Sequence, residues 1–288
     1  MGKHLNAVKR QFGTDTRGLL DGGRYALLHT RSMEFDELRP YVPGDDVRDI
    51  DWKASARSGS VLIKRFVTEK HHKILLVADA GQNMAALAPG GERKSTVAEN
   101  VLGAIGLIAL GRSDQIAMVY GDGRGSLNIG LSRGETQVER ILTHYHDHAV
   151  AARGPSDICC QLDYVATHYR HRMLIVMVSD EPEPNARLDE LTARLGSRHD
   201  VMWAMVADMP ATAARDRGGF DIATGRPVHA LAAGNRRVIA AYRRAEQARA
   251  QRLTEFLTAR SIAHATLTGS ADLRRAIVDL TGVWSRAG

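Results

Sequence analysis

The sequence predicts an α/β fold built on one mainly parallel sheet with helices on both faces. Three observations predict it. Residues 74–78 read ILLVA, residues 173–178 read MLIVMV, and residues 201–207 form a third run of the same kind. Continuous apolar runs of strand length suit parallel strands covered on both faces. Segments of helical character separate these runs, and that alternation makes neighbouring strands parallel. The texture also changes near Lys73. Residues 1 to about 70 are polar, irregular and rich in arginine and aspartate, whereas the remainder alternates strand with helix. The chain thus divides into an N-terminal arm, residues 1–70, and an α/β domain, residues 71–288.

Each element of the domain has its own signal. The strand at 74–78 is followed by a helix at 92–110, apolar around most of its circumference and therefore buried. Residues 115–120 form the next strand, and the Gly121-Asp122-Gly123 turn leads to a short edge strand at 126–129. Residues 135–148 are helical. Ser156-Asp157 caps a helix that runs to about Tyr169. The strand at 173–178 ends in Ser179-Asp180, and Pro182 and Pro184 keep the following loop out of the helix at 186–195. After the strand at 201–207, residues 209–234 are loop-like with a short strand at 220–223. A long helix at 236–260, a strand at 263–267 and a helix at 271–283 complete the chain.

Composition narrows the function classes. With 44% hydrophobic and 25% charged residues, the 288-residue chain can bury a core without staples. The net charge of +6 permits an acidic partner or a nucleic acid and requires neither. The two cysteines, Cys159 and Cys160, are adjacent and make no disulfide framework, so they read as reduced core thiols. Residues 1–13 show no export signal. The longest apolar stretch, 97–110, holds Glu99 and Asn100 and is shorter than the roughly 20 residues of a membrane span. The expectation is a cytoplasmic protein without a membrane span.

Ligands of open parallel sheets sit at the carboxyl ends of the strands. Asp79 and Asp180 are the first polar residues beyond, or at the end of, two apolar strands. Together with Ser156 they bring oxygen atoms from three loops to one sheet edge, a set that suits Mg²⁺. The arrangement resembles the metal-ion-dependent adhesion site of von Willebrand factor A domains, an Asp-x-Ser-x-Ser loop with a threonine and a second aspartate. Asp79 matches the first aspartate, Ser156 the threonine and Asp180 the last aspartate. Gly81 and Asn83 stand where that pattern has serines. Gly81 removes one ligand, while Asn83 can still offer an amide oxygen. The resemblance therefore implies a degenerate site at Asp79, Asn83, Ser156 and Asp180, with weak Mg²⁺ binding at most and no required cofactor.

A stronger signal lies upstream. Residues 34–57 read EFDELRPYVPGDDVRDIDWKASAR. Carboxylates alternate there with Arg39, Arg48, Lys53 and Arg57, and apolar side chains sit between them. Glu34, Phe35, Leu38, Arg39, Tyr41, Gly44, Asp45, Asp46, Arg48, Ile50, Asp51, Trp52, Ala56 and Arg57 closely resemble the signature of domain-of-unknown-function family 58. The family is similar to von Willebrand factor A proteins in its central sheet, and its members accompany AAA+ ATPases of the MoxR type. The departures are Gly81, Asn83 and an upstream Gly23-Arg24 in place of glycine-histidine. Two roles fit the signature: a half-buried charge network that holds the arm, or direct partner contact. In the first, removing Asp51 or Arg57 costs on the order of 2–4 kcal/mol.

Other candidates read as ordinary surface or core. His144 and His148 in HYHDH share a helix face at metal-pair spacing, without the glutamate of a zinc protease or an evident third ligand. The helix at 236–260 carries seven arginines, of which Arg236, Arg237, Arg243 and Arg244 lie opposite an apolar face, which fits a solvated surface or an electrostatic patch for an acidic partner or nucleic acid. Arg249 interrupts that apolar face and must snorkel, stack on an aromatic or pair with a buried carboxylate. There is no G-x-S-x-G elbow, no phosphate-binding glycine loop and no Cys-His zinc cluster. Phosphotransfer at Asp79 lacks a second carboxylate two residues on, where Gly81 stands. The expected function is a non-enzymatic adaptor for a MoxR-type ATPase, with nucleic-acid association or an Asp79 phosphotransfer enzyme as the alternatives.

Overall fold

The structure is a computed structural model that describes residues 2–13, 33–43, 45–68, 72–151, 154–210, 219–220, 222, 227–228 and 236–282. Its elements run α1 (Lys3–Phe12), β1 (Met33–Pro40), α2 (Trp52–Ser58), β2 (Leu62–Thr68), β3 (Lys73–Asp79), α3 (Lys94–Gly111), β4 (Gln115–Asp122) and β5 (Gly125–Ser132). There follow α4 (Glu135–Ala151), α5 (Ile158–His168), β6 (Leu174–Ser179), α6 (Ala186–Gly196), β7 (Asp200–Val206), β8 (Gly219–Phe220), β9 (Pro227–Val228), α7 (Arg236–Ala259), β10 (Ala263–Leu267) and α8 (Leu273–Gly282). Among the described residues, no helix is long and apolar enough to cross a membrane.

Six strands form one sheet in the order β10-β7-β6-β3-β4-β5. All neighbours are parallel except β5, which returns antiparallel along β4 at the edge. This is the mainly parallel α/β architecture, with helices on both faces, expected from the sequence. In β3 the period of two sends Ile74, Leu76 and Ala78 into a core with α1, α3, α4 and α8. Leu75 and Val77 face the opposite core, with α5, α6 and the end of α7. Both faces are therefore covered, which is why β3, β6 and β7 read as unbroken apolar runs.

The chain divides into two compact units, His29–His71 and the remainder. This differs from the expected arm of residues 1–70, because α1 groups with the α/β unit. Leu5, Val8 and Phe12 lie at helical spacing and are buried. Gly103 of α3 lets the helices approach: a Cβ there would stand 2.4 Å from Val8 Cγ2. Burying three such side chains is worth about 1.5–3 kcal/mol each. The edge strand β5 is longer than expected, since its backbone pairs with β4 although most of its side chains are exposed. The short strand expected at 220–223 is Gly219–Phe220, paired with Pro227–Val228, and Ala223 lies outside the described residues. Along α7 only Leu253 and Leu257 are buried, and Val238 of its expected apolar face is 44% exposed.

Candidate functional site

β3 and β6 are adjacent and parallel, so Asp79 and Asp180 leave the sheet at the same edge. Asp79 is fully buried, and its Oδ1 accepts the Gly81 N–H at 2.9 Å. Its Oδ2 meets no donor in hydrogen-bonding geometry among the described residues. Burial, reinforced by the charge of Asp180, pushes its pKa up to about 7. The nearby Ser156 hydroxyl, the Gly81 N–H and Lys94 act in the opposite direction without cancelling that rise. The loop is also held from below, where the buried Tyr145 hydroxyl donates to the Asp79 carbonyl at 3.0 Å. Burial and the charges of Asp79 and Glu99 hold the Tyr145 pKa well up, which keeps that donor protonated.

The other expected ligands are brought to the same edge, but they face one another. Asn83 Nδ2 donates to Asp180 Oδ2 at 2.8 Å, so its amide presents a donor to the carboxylate. Ser156 Oγ accepts the Asn83 N–H at 3.2 Å. Gly81 is enforced by packing: a Cβ there would lie 2.7 Å from Ser156 Cα and 2.7 Å from its Oγ. A serine side chain in that place collides with the next loop. Asp157, beside Ser156, caps α5 by accepting the Cys159 N–H.

A lysine completes the edge. Lys94 is fully buried, and its Nζ lies 2.6 Å from Asp208 Oδ1 and 3.9 Å from Asp180 Oδ2. The sequence reading passed over it. Its signal was present, because a cation in the first turn of a helix opposes the macrodipole and calls for carboxylates nearby. Asp208 follows β7 and supplies one. A second ion pair flanks the edge, Arg249 with Glu181 at 2.9 Å, both half-buried or less exposed. Of the three fates open to Arg249, pairing with a carboxylate is the one realised. As a Mg²⁺ site the residues fit poorly. Gly81 offers no side-chain oxygen, Asn83 turns a donor inward, and a buried lysine shares the space with Asp180.

The histidines of HYHDH do not act as an i, i+4 pair. His144 Nδ1 lies 3.2 Å from the Tyr120 hydroxyl, and His148 Nε2 is 4.0 Å from Asp122 Oδ2. The middle residue, His146, reaches Glu99 of α3 at 3.0 Å. Cys159 is buried and Cys160 half-buried, and both are free thiols.

In the His29–His71 unit, β1 and β2 pair antiparallel with an irregularity between Phe35 and Glu37. Asp45 ties the turn by accepting the Val42 N–H at 3.0 Å and the Arg39 guanidinium at 2.6 Å. Arg39 holds the Asp45 pKa below its usual value. Asp46 caps the turn at Val47–Asp49, and Asp51 caps α2 by accepting from Lys53 and Ala54 N–H groups. Ile50 bridges to Ile63. Arg57 and Ala56 are exposed, and Trp52 is 69% exposed. Asp51 thus caps α2 from a half-buried position, and the expected half-buried network does not extend to Arg57, which lies on the surface. Tyr41 and Arg48 take part in the same turn region, while Gly44 lies outside the described residues. Of Glu34 and Phe35 only the backbone, in β1, is described.

Comparison with known proteins bears on this arrangement. Residues 37–252 match the family described as "Protein of unknown function DUF58". The chain belongs to the DUF58 family. Among curated proteins it is similar to uncharacterized proteins of Mycobacterium tuberculosis (strain ATCC 25618 / H37Rv) and Mycobacterium bovis, 24% identical over 192 residues. The match covers 66% of this chain and 60% of each relative's length. Among solved structures it is similar to an aerotolerance-related membrane protein from Bacteroides fragilis (12% identity, TM-score 0.44, 72% of this chain and 96% of that one). Similar too are the conserved hypothetical protein BatB from Bacteroides thetaiotaomicron (10%, 0.44, 75% and 100%) and a von Willebrand factor type A protein from Catenulispora acidiphila (13%, 0.42, 76% and 43%).

Proposed function

We propose that this DUF58 protein is a cytoplasmic, non-enzymatic adaptor that docks a MoxR-type AAA+ ATPase through the carboxyl edge around Asp79, Asn83 and Asp180, without a bridging divalent cation. The partner class comes from the family resemblance; the docking mode comes from the edge itself. One observation carries the mode: Lys94 Nζ, fully buried, lies against Asp208 and Asp180. The positive charge that an acidic edge demands is supplied by the chain. A partner then meets this edge through hydrogen bonds and apolar contacts. Phosphotransfer at Asp79 is disfavoured, because a fully buried carboxyl is closed to an incoming phosphoryl donor.

Co-purification with the ATPase tests the proposal. A nucleotide-loaded ATPase carries its own Mg²⁺, so the cation-free arm uses the nucleotide-free ATPase with EDTA. Association that persists in EDTA and weakens with Asn83→Ala supports the reading. No association under any nucleotide condition removes the partner, and loss in EDTA removes the cation-free mode.

A further inference from the structure

The N-terminal helix meets α3 and α4 at a cluster that the carboxyl edge does not use. The first turn of α1 is fixed there by backbone contacts. Glu139 of α4 accepts the N–H groups of His4 and Leu5 at 3.0 and 2.7 Å. Lys9, one face-turn further along α1, reaches Glu135 of α4 at 2.7 Å. These bonds, with the Val8–Gly103 contact, set the position of His4 independently of its ring.

The ring then converges with two side chains from the neighbouring helices. His4 Nδ1 lies 2.5 Å from Glu99 Oε1, and His146 Nδ1 lies 3.0 Å from Glu99 Oε2. The two imidazole centroids are 4.7 Å apart. One ligand atom from each of the three residues falls within 4.8 Å of the others. His4 and Glu99 are largely shielded, at 13% and 15% side-chain exposure, while His146 is open at 43%.

We propose that His4, Glu99 and His146 form a transition-metal site that takes Zn²⁺ and staples α1 to α3 and α4. Two imidazoles and a carboxylate are a borderline donor set, suited to Zn²⁺ and unsuited to Mg²⁺, which prefers oxygen. Tetrahedral bonds of about 2.0–2.1 Å place ligand atoms roughly 3.3 Å apart. The separations here need only small side-chain rotations to reach that value. Three protein ligands leave a fourth position for a water molecule. Binding displaces the protons that the two Nδ1 atoms otherwise share with Glu99. The HYHDH run thus contributes its middle histidine, and the other two ligands come from helices far away in sequence. That is why the spacing of His144 and His148 pointed to the wrong pair.

The test uses the full chain, stripped with a chelator, desalted and titrated with ZnCl₂ by calorimetry. Co²⁺ is added in parallel to read the visible bands of a four-coordinate ion. The expected result is one Zn²⁺ per chain, accompanied by a raised thermal midpoint. Affinity should fall at least about tenfold in His146→Ala and in Glu99→Gln, and stay within about twofold of the parent in His144→Ala. His146 is partly exposed, so its variant retains the fold, and matching far-ultraviolet circular dichroism checks this. No saturable uptake by the parent chain overturns the proposal. So does uptake that is equal in the parent and in His146→Ala, or that is lost in His144→Ala instead.

Discussion

Replacing Asp79 by asparagine should stabilise the protein, and by more at pH 8 than at pH 5. Asp79 is fully buried, and its pKa stands at about 7 against 3.8 for a free aspartate. A raised folded-state pKa means that the native state holds its proton where the unfolded chain has released it. The associated stability is fully present below pH 3.8 and is lost as pH rises through about 7. At 1.36 kcal/mol per pH unit, the full loss is about 4 kcal/mol, of which roughly 2.5 kcal/mol falls between pH 5 and pH 8. Asparagine mimics the protonated acid: its Oδ1 keeps the Gly81 N–H, and it has no charge to bury. Urea unfolding of both proteins across this pH range gives the comparison. The stability difference between variant and parent should widen by roughly 2.5 kcal/mol from pH 5 to pH 8, a large share of a typical domain's 5–15 kcal/mol. A difference that stays constant within about 0.5 kcal/mol would refute the reasoning, because Asp79 would then be ionised at little cost.

Three further outcomes follow from the same geometry. Gly81→Ser, which restores the serine of the adhesion-site pattern, should destabilise the protein by about 1–3 kcal/mol, since its Cβ would lie 2.7 Å from Ser156 Cα; a thermal melt at neutral pH checks it. Lys94→Met should cost about 1.5–3 kcal/mol by leaving Asp208 and Asp180 without their buried cation. It should also raise the Asp79 pKa further, visible as an upward shift in the pH at which stability falls. In the signature, Asp51→Ala should cost about 1 kcal/mol through loss of the α2 cap. Arg57→Ala, at an exposed position, should change stability by less than about 0.5 kcal/mol. A larger effect of Arg57 in chemical denaturation would restore the network reading.

The sheet was legible because burial on both faces leaves its mark in sequence. β3, β6 and β7 cannot tolerate polar residues, so their runs are unbroken and their ends stand out. The strand-end aspartates were found by the same logic. The partners that determine what those aspartates do were harder to see, because they come from distant parts of the chain. Lys94 begins a helix that is apolar over most of its length, and only the opposition between its charge and the helix dipole marks it. Asn83 and Asp180 are 97 residues apart, and nothing in either segment says that the amide turns its donor to the carboxylate. Helix α1 was missed because three large apolar residues in a short, mostly polar decamer are a weak signal. Its docking rests on Gly103, whose role appears only when two helices meet. In the signature, the spacing showed a specific motif but did not separate capping from ion pairing, since aspartate serves both.

The central claim is that a built-in lysine, and no divalent cation, neutralises the carboxyl edge. Calorimetric titration of Mg²⁺ into the chelator-treated chain near neutral pH tests it most directly. The expected result is no saturable heat from the parent protein. A micromolar Mg²⁺ affinity, abolished by Asp79→Ala and unaffected by Lys94→Met, would contradict the claim and return the edge to a metal-dependent mode of binding.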